Sequence, residues 1–247
     1  MTPVRKEGYK FCQDVCIPCF QTSDKSLLKP AAFMDLAQEI AYWAATELGF
    51  GYDTLHIHHA AWVLVRMHIH FAQPVSWRDH VTLCTWHKGA GGLTYLRDFD
   101  LRNEAGESAV LATSSWVVMD DRTRRFVRPE DLKTLLDPGQ EVAHAIATPA
   151  PKVSMPQGTA VPVGLHQVAF SDLDINGHTN NARYAVWAMD CLPLEVAERP
   201  MKDLYVNFNK ETVPGESVQL FRLQDGDTWY VEGKVDGKSC FVIKMVF

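Results

Sequence analysis

One order of secondary-structure patterns occurs twice along this chain of 247 residues. In each half, a strand pattern precedes a helical pattern, and four further strand patterns follow it. The first helix is predicted at residues 31–49, where apolar side chains recur near helical spacing between Pro30 and Gly49. Residues 11–20 form its preceding strand, and the strands that follow are predicted at residues 61–72, 81–86, 93–101 and 109–118. This repetition restricts the chain to a fold built from two similar units.

The second half repeats this order around a helix that is apolar on almost every side. A helix is predicted at about residues 180–191, and the strands are predicted at residues 163–170, 204–209, 217–223, 228–235 and 239–247. A helix with so few charges must be buried on most sides, so a sheet has to wrap it. A long antiparallel sheet curled around one helix, twice in one chain, is an α+β fold of two tandem hotdog domains. The Pro-, Ala- and Gly-rich segment in the middle gives an N-terminal domain at 1–130, a connector at 131–160 and a C-terminal domain at 161–247.

Composition excludes several classes of partner. The net charge is −6, so the surface is too acidic for nucleic acid to be the main partner. The longest uninterrupted apolar run, residues 60–65, is far shorter than the roughly 20 residues that span a bilayer. The first residues lack an apolar signal core. We therefore expect a cytoplasmic protein without a membrane segment.

Three cysteines near the N-terminus allow two interpretations. Cys12, Cys16 and Cys19 have a spacing that resembles the iron–sulfur ligands of radical SAM enzymes. That motif usually has an aromatic residue where this chain has Pro18, and no pattern of alternating strands and helices follows it. We favour a strand whose free cysteines are small buried hydrophobic residues. Cys84, Cys191 and Cys240 have no paired spacing, and a cytoplasmic chain is expected to keep them reduced.

The stretch Ser171 to Tyr184, SDLDINGHTNNARY, is the densest group of candidate catalytic side chains. Asp174, Asn176 and His178 lie between a predicted strand and the start of the apolar helix, where unpaired N–H groups favour negative charge. Such residues can accept a proton, orient water and stabilise an oxyanion. Asp and Asn also dominate ordinary turns, so residue type alone does not separate a site from a helix cap.

The pattern of this stretch resembles the acyl-carrier-protein (ACP) thioesterase family. The family signature reads Asp-Leu-Asp-x-Asn-x-His-Val-Asn-Asn-x-x-Tyr, and this chain differs in having Thr179 in place of Val. Supporting similarity lies in DLAQEIAYWAATELGFG, WVLVRMHI, ATSSWVVMDDRTRRFVRP and YVNFNKETVPGESVQL. The resemblance, of a bacterial type without a transit peptide, implies hydrolysis of fatty acyl-ACP to a free fatty acid and holo-ACP. It implies acyl-ACP as the partner and neither a cofactor nor a metal.

The resemblance also assigns catalytic residues. It makes Asp174, Asn176 and His178 catalytic, together with an acidic residue that falls on Glu211. We expect Glu211 and His178 to activate water, Asp174 to orient His178, and Asn176 with helix-end amides to stabilise the oxyanion. Many plant members have Cys beside that glutamate, whereas this chain has Thr212, which excludes a covalent Cys route at that position. Neither Cys191 nor Cys240 has sequence support as a nucleophile.

The first half lacks the Asp-x-Asn-x-His pattern and is expected to bind the acyl chain. Candidate contacts, which any hydrophobic core could also use, are Met34, Trp43, Trp62 and Met67. Gln38 and Glu39 resemble active-site positions of other hotdog thioesterases, although a solvated Glu39 is the simpler interpretation. The histidines at 56–59 and at 68 and 70 are expected to be solvated rather than metal ligands. An arginine cluster could dock the acidic carrier, and its members are Arg122, Arg124, Arg125 and Arg128.

Other functions stay open at this level. The same chemistry could act on acyl-CoA. Hotdog hydratases and dehydratases also use Asp, Asn and His, although with a longer, Pro-containing spacing before the His. A non-catalytic acyl-ACP binding module would not need the set Asp174, Asn176, His178 and Glu211. The sequence does not give the acyl chain length, and it leaves open whether two chains pair as a homodimer.

Overall fold

A computed structural model describes residues 2–91, 93–127 and 141–247. In this part of the chain, α1 is Pro30–Glu47, α2 is Tyr52–Ile57, α3 is Asn181–Asp190 and α4 is Leu194–Ala197. The strands are β1 Arg5–Glu7, β2 Lys10–Cys16, β3 Ala60–Phe71, β4 His80–Gly91, β5 Thr94–Arg102, β6 Ser108–Asp120, β7 Phe126–Val127, β8 Val161–Gln167, β9 Asp203–Phe208, β10 Ser217–Asp225, β11 Thr228–Val235 and β12 Lys238–Val246. The predicted strand at residues 163–170 ends three residues early, because residues 170–172 form a 3-10 turn.

The strands form one antiparallel sheet that joins the two halves. Its order is β1-β2-β4-β5-β6-β3-β9-β12-β11-β10-β8, and β7 pairs with β6 outside this path. The halves meet where β3 pairs with β9, with Met67 opposite Val206. Each half thus contributes its own run of strands with one long helix, which is the α+β tandem hotdog architecture predicted from the sequence.

The two long helices pack together against the inner face of the sheet. Phe33, Leu36 and Ile40 form a buried stripe of α1 at helical spacing, and α1 ends before Gly49, whose φ is +82°. In α3, Trp187 is buried in the same hydrophobic cluster as Phe33 and Ile40. An ion pair of 2.8 Å between Arg183 Nη2 of α3 and Asp35 Oδ2 of α1 links the two helices. A single core therefore extends through both halves.

Cys12 and Cys84 form a disulfide, so the prediction that Cys84 stays reduced is wrong, and Cys12 is not a free cysteine. The two residues lie directly opposite each other on β2 and β4, although 72 positions separate them in sequence. Spacing along the chain cannot reveal a pairing of this kind, which depends on strand register. Cys16 and Cys19 are exposed, and with Cys12 in a disulfide the three do not form an iron–sulfur ligand set.

The two histidines of β3 share one carboxylate, which corrects the expectation that both are solvated. His68 Nε2 donates to Asp203 Oδ1 at 2.8 Å, and His70 Nδ1 donates to the same oxygen at 3.0 Å. The His68 side chain is only 13% exposed and stacks on the Tyr205 ring at 4.1 Å. Burial lowers the pKa of His68, although Asp203 opposes this effect. Their partner comes from β9, in the other half of the chain, so the sequence did not indicate it.

The described part of the proposed connector, residues 141–160, contains no helix or strand. It contacts the outer face of the first half, where Trp86 Nε1 donates to the Ala143 carbonyl at 2.7 Å and the Ala145 N–H donates to Asp98 Oδ2 at 2.7 Å. No helix among the residues described is long and apolar enough to cross a membrane.

Candidate active site

The loop between β8 and α3 holds its shape through the carboxylate of Asp174. Asp174 Oδ1 accepts the backbone N–H of Asn176 at 2.8 Å, and the Asp174 N–H donates to the His178 carbonyl at 2.9 Å. Gly177 has φ of +74°, a left-handed conformation that favours glycine in this tight turn. Asn180 then caps α3 by accepting the Ala182 N–H at 2.8 Å. The Asp-x-Asn-Gly-His spacing therefore builds a compact turn directly before the helix.

The structure changes the expected role of Asp174. Its carboxylate binds the loop backbone and accepts the Asn176 side-chain amide at 3.3 Å. Its contact with His178 is a 3.4 Å hydrogen bond from the backbone N–H, and in the described structure no bond joins the carboxylate to the imidazole ring. Asp174 can thus orient His178 through the loop backbone rather than by holding the ring, because its two oxygens are directed at loop donors.

Glu211, from the loop after β9, reaches the catalytic loop from the other side. Its Oε2 lies 3.8 Å from His178 Nδ1, too long for a direct hydrogen bond but close enough to tighten or to be bridged by water. The side chains of His178 and Glu211 are 36% and 29% exposed, so both are accessible. The two residues, 33 positions apart in sequence, thus lie close together in the fold.

Arg124 is a member of this site that sequence reasoning assigned to another role. Its Nη2 donates to Glu211 Oε2 at 2.6 Å, the same oxygen that faces His178. Arg124 lies in the turn after β6 and has φ of +57°, which is uncommon for a residue with a side chain. Of the other arginines in the predicted docking cluster, Arg122 and Arg125 are exposed, and Arg128 lies outside the described residues.

A buried hydroxyl network fixes the Glu211 loop to the catalytic loop and to α3. Thr212 Oγ1 lies 2.6 Å from Thr179 Oγ1 and 3.0 Å from the Tyr184 hydroxyl. The Thr212 N–H donates to the Tyr184 hydroxyl at 3.1 Å, and the Thr179 N–H donates to the Thr212 carbonyl at 3.0 Å. Thr212 is fully buried. The threonine that excluded a cysteine nucleophile therefore has a structural role beside Glu211.

Asp172 holds the start of the same loop through hydrogen bonds to β8, the loop backbone and α3. One of its oxygens accepts His166 Nε2 at 2.9 Å and the Ala169 N–H at 2.9 Å, and the other accepts Trp187 Nε1 at 3.3 Å. Burial opposes ionisation, but the hydrogen bonds from Ala169 and His166 hold the pKa of Asp172 below its usual value. The first aspartate of the signature therefore anchors the turn to α3, a role that the sequence analysis did not assign.

The candidate catalytic residues line a cavity of about 1000 Å³. Asp174, Asn176, His178 and Glu211 are all on its wall, together with Arg124. The rest of the wall comes largely from the first half, where large side chains include Phe50, Trp62, Tyr95, Trp116 and Phe126. An apolar cavity with a few convergent polar groups at one end is the usual form of a small-molecule site.

The structure separates the four candidate acyl contacts. Trp62 lines the cavity, and its Nε1 donates to the Phe50 carbonyl at 3.0 Å. Met34 and Met67 instead lie in the packed core, 4% exposed each, and neither is on the described cavity wall. Trp43 is 45% exposed and donates from Nε1 to Glu39 Oε1 at 2.8 Å. Of the four, Trp62 alone is on the described cavity wall, because apolar spacing cannot tell a core position from a cavity position.

The other candidate residues from the sequence analysis are a polar pair on α1, two cysteines and the histidines. Gln38 and Glu39 both line the cavity. Cys191 is buried, and this burial raises its pKa to about 11, so its thiol stays protonated near neutral pH. Burial also raises the pKa of Cys240. Among the described residues, no group of three or more His, Cys, Asp or Glu side chains is placed to hold a metal.

Known proteins with similar sequence and structure include several thioesterases. The chain matches the acyl-ACP thioesterase N-terminal domain over residues 8–134 and the C-terminal domain over residues 162–236. It is 25% identical to the chloroplastic oleoyl-acyl carrier protein thioesterase 2 of Arabidopsis thaliana over 228 residues, which cover 83% of this chain and 60% of that protein.

Solved structures share the whole fold. An acyl-ACP thioesterase from Bacteroides thetaiotaomicron superimposes with a TM-score of 0.84 at 22% identity, covering 97% of this chain and 98% of that one. The 12:0-ACP thioesterase from Umbellularia californica superimposes with a TM-score of 0.88 at 21% identity, covering 98% of both chains. This chain spans about three fifths or less of the curated relatives, 60% and 56% for two plant oleoyl-ACP thioesterases. Because the two domain matches together cover most of its length, the chain belongs to the acyl-ACP thioesterase family.

Proposed function

We propose that this protein hydrolyses the thioester of fatty acyl-ACP and releases a free fatty acid and holo-ACP, a reaction of fatty acid biosynthesis. One observation carries the proposal: Glu211 and His178, from separate segments, lie close together on the wall of a largely apolar cavity. A fatty acyl chain needs such a cavity, and its thioester needs a group that activates water at the cavity end. The printed names of its relatives support the choice of acyl-ACP as the substrate.

The chemistry that we assign is direct attack by water. Glu211 and His178 take a proton from water as its oxygen forms a bond to the thioester carbon, and the C–S bond then breaks. The proton passes to the departing sulfur of the phosphopantetheine thiol, so acid and thiol are the two products. Asp174 holds the loop that carries His178, and Asn176 with nearby N–H groups stabilises the oxyanion. No protein thiol takes part, which agrees with the burial of Cys191.

We assign chain binding and catalysis to different halves. Residues 1–130 would bind the acyl chain, residues 131–160 would connect the halves, and residues 161–247 would carry catalysis. Two observations support this division: Trp62, Tyr95 and Trp116 line the cavity from the first half, and the Asp174 to His178 loop lies in the second. Arg124 links the halves at Glu211.

The decisive assay measures release of free carrier thiol. Purified protein is given acyl-ACPs of several chain lengths and the matched acyl-CoAs, with His178→Ala as the inactive control. We expect hydrolysis of the carrier substrates at higher kcat/KM than of the CoA substrates, lost in the control. A higher kcat/KM for the acyl-CoAs would identify acyl-CoA rather than acyl-ACP as the substrate. Absence of thiol release from both classes would overturn the thioesterase proposal and favour hydration chemistry or acyl binding alone.

The division of roles is tested by substitutions at Glu211 and Arg124. Glu211→Gln keeps the shape but removes the proton acceptor, and we expect kcat to fall by roughly 10² to 10⁴. Near-normal turnover in Glu211→Ala would exclude Glu211 from catalysis. Arg124→Ala should lower kcat more than it raises KM, because the guanidinium positions the carboxylate, and Arg124→Lys should restore part of the loss.

We place the carrier-docking surface at the exposed arginines beside the cavity. Arg122 and Arg125 are exposed, and the exposed Phe126 next to them lines the cavity. A basic patch there would attract the acidic carrier, and salt would weaken the attraction. Arg122→Glu with Arg125→Glu should raise KM for acyl-ACP at low salt while leaving KM for acyl-CoA unchanged. An unchanged KM for acyl-ACP would place the docking surface elsewhere.

A further inference from the structure

A buried arginine lies in the acyl cavity without an ionic partner. Arg97 is on β5, faces the cavity and is 6% exposed. Its described side-chain hydrogen bond is from Nη1 to Thr85 Oγ1 at 3.3 Å, a neutral acceptor. In the described part of the chain, no carboxylate lies within ion-pair distance of its guanidinium, whereas 11 ion pairs of other Lys or Arg side chains are present.

An unpaired buried cation is unfavourable in a cavity meant only for hydrocarbon. Burial lowers the pKa of Arg97 to about 10, yet the side chain stays charged near neutral pH. A plain alkyl chain packed against it would remove its remaining contact with water and offer no acceptor in return. The carboxylates next to Arg97 on β5 do not neutralise its charge, because side chains alternate across a strand and theirs point to the opposite face of the sheet. Asp98 accepts hydrogen bonds from Lys88 Nζ and the Ala145 N–H instead.

The backbone of Arg97 is separated along the sheet from the turn that carries Arg124. It lies opposite Ser114 on β6, and the Arg124 N–H donates to the carbonyl of Asp120, the last residue of β6, at 2.9 Å. Asp120 lies six positions after Ser114, which corresponds to about 20 Å between their backbones along the strand. The acyl chain extends away from the thioester through the same cavity. A group bound at Arg97 would therefore belong to a part of the acyl chain beyond the thioester.

We propose that Arg97 forms a second recognition site in the cavity, for an oxygen-bearing group, a hydroxyl or carboxylate, at the distal end of the acyl chain. The guanidinium offers several N–H donors, and Thr85 Oγ1 occupies one of them. A distal oxygen would supply the acceptor that the protein itself does not provide. This inference rests on the proposed thioesterase function, since it names the kind of acyl chain that the site accepts.

Matched pairs of substrates test the proposal. Dodecanoyl-, tetradecanoyl- and hexadecanoyl-ACP are compared with the same chains bearing a terminal hydroxyl or a terminal carboxyl. At the length that reaches Arg97, we expect kcat/KM for the oxygenated chain to exceed that of the plain chain by roughly ten- to hundredfold. Arg97→Met, of similar length but apolar, should reverse the preference. Arg102→Met, on the same strand but outside the described cavity wall, is the matched control and should keep it.

A binding measurement separates this inference from the proposed activity. Calorimetry with His178→Ala protein compares dodecanedioic acid with dodecanoic acid, before and after adding Arg97→Met. Tighter binding of the diacid that disappears with Arg97→Met supports the site even if no thioester is hydrolysed. If the native protein hydrolyses plain chains at least as well as oxygenated ones at every length, and binds the two acids equally, the proposal is overturned and the thioesterase function stands. Thermal melting checks that Arg97→Met is folded.

Discussion

Thr212→Val removes one buried hydroxyl from the centre of the network beside Glu211. Valine has nearly the shape of threonine, so the change leaves no cavity and isolates the effect of the hydrogen bonds. The variant loses the contacts of Thr212 Oγ1 with Thr179 Oγ1 at 2.6 Å and with the Tyr184 hydroxyl at 3.0 Å. Tyr184 keeps the bond from the Thr212 N–H, whereas Thr179, 5% exposed, loses its 2.6 Å hydrogen bond and keeps the Tyr184 hydroxyl as its neighbour.

These losses set the expected magnitude. A buried hydroxyl that loses its short hydrogen bond costs about 1–3 kcal/mol, and the weakened contact at Tyr184 adds about 0.5–1.5 kcal/mol. We therefore expect Thr212→Val to lower the free energy of unfolding by about 1.5–4.5 kcal/mol, and Tm by at least about 3 °C. We also expect kcat/KM to fall, because the hydroxyl ties the Glu211 loop to the catalytic loop.

Urea unfolding, thermal melting and the thiol-release assay measure these effects in parallel. Thr212→Ser keeps the hydroxyl and is the matched control. It should stay within about 1.5 kcal/mol of the native protein, since it removes only a methyl group, and should retain most activity. If Thr212→Val were as stable and as active as Thr212→Ser, the network would not position Glu211 and the reasoning would be refuted.

Three further predictions concern residues away from this network. Cys191→Ala with Cys240→Ala should retain most of the native kcat, because neither buried thiol is a nucleophile; loss of the chemical step in a folded double variant would contradict water attack. Burial lowers the pKa of His68 below its unfolded value, so the neutral side chain stabilises the fold above about pH 6.5 and this contribution is lost as pH falls. Urea unfolding at about pH 7.5 and about pH 5.5 should therefore show a smaller decrease in the free energy of unfolding for His68→Gln than for the native protein. Gly233→Ala would put a methyl group against the Phe241 ring and should destabilise by about 1–3 kcal/mol in urea unfolding; native stability would contradict this packing.

The sequence determined the fold class because each half repeats a periodic pattern. The period of α1 and the apolar surface of the second long helix follow from local side-chain order, and so does alternation in strands such as β3. The loop from Asp174 to His178 was also identifiable, since its members are close in sequence and form a specific pattern. Glu211 came from the family resemblance rather than from spacing.

Tertiary structure decided everything that depends on which strands are neighbours. Strand register puts Cys12 opposite Cys84, and it joins the halves through β3 and β9, where His68 and His70 find Asp203. The helical period of α1 placed Met34 on an apolar face, but only packing showed that this face belongs to the core rather than to the cavity.

The candidate site shows the same limit most clearly. Arg124 had the sequence context of an exposed turn, and its contact with Glu211, 87 positions away, exists only because β6 and β9 end at the same edge of the cavity. The sequence analysis did not single out Arg97, whereas the structure shows it buried and without an ionic partner among the described residues. Local periodicity can be seen in the amino-acid sequence, whereas the partners of a charged side chain depend on which distant segments pack together.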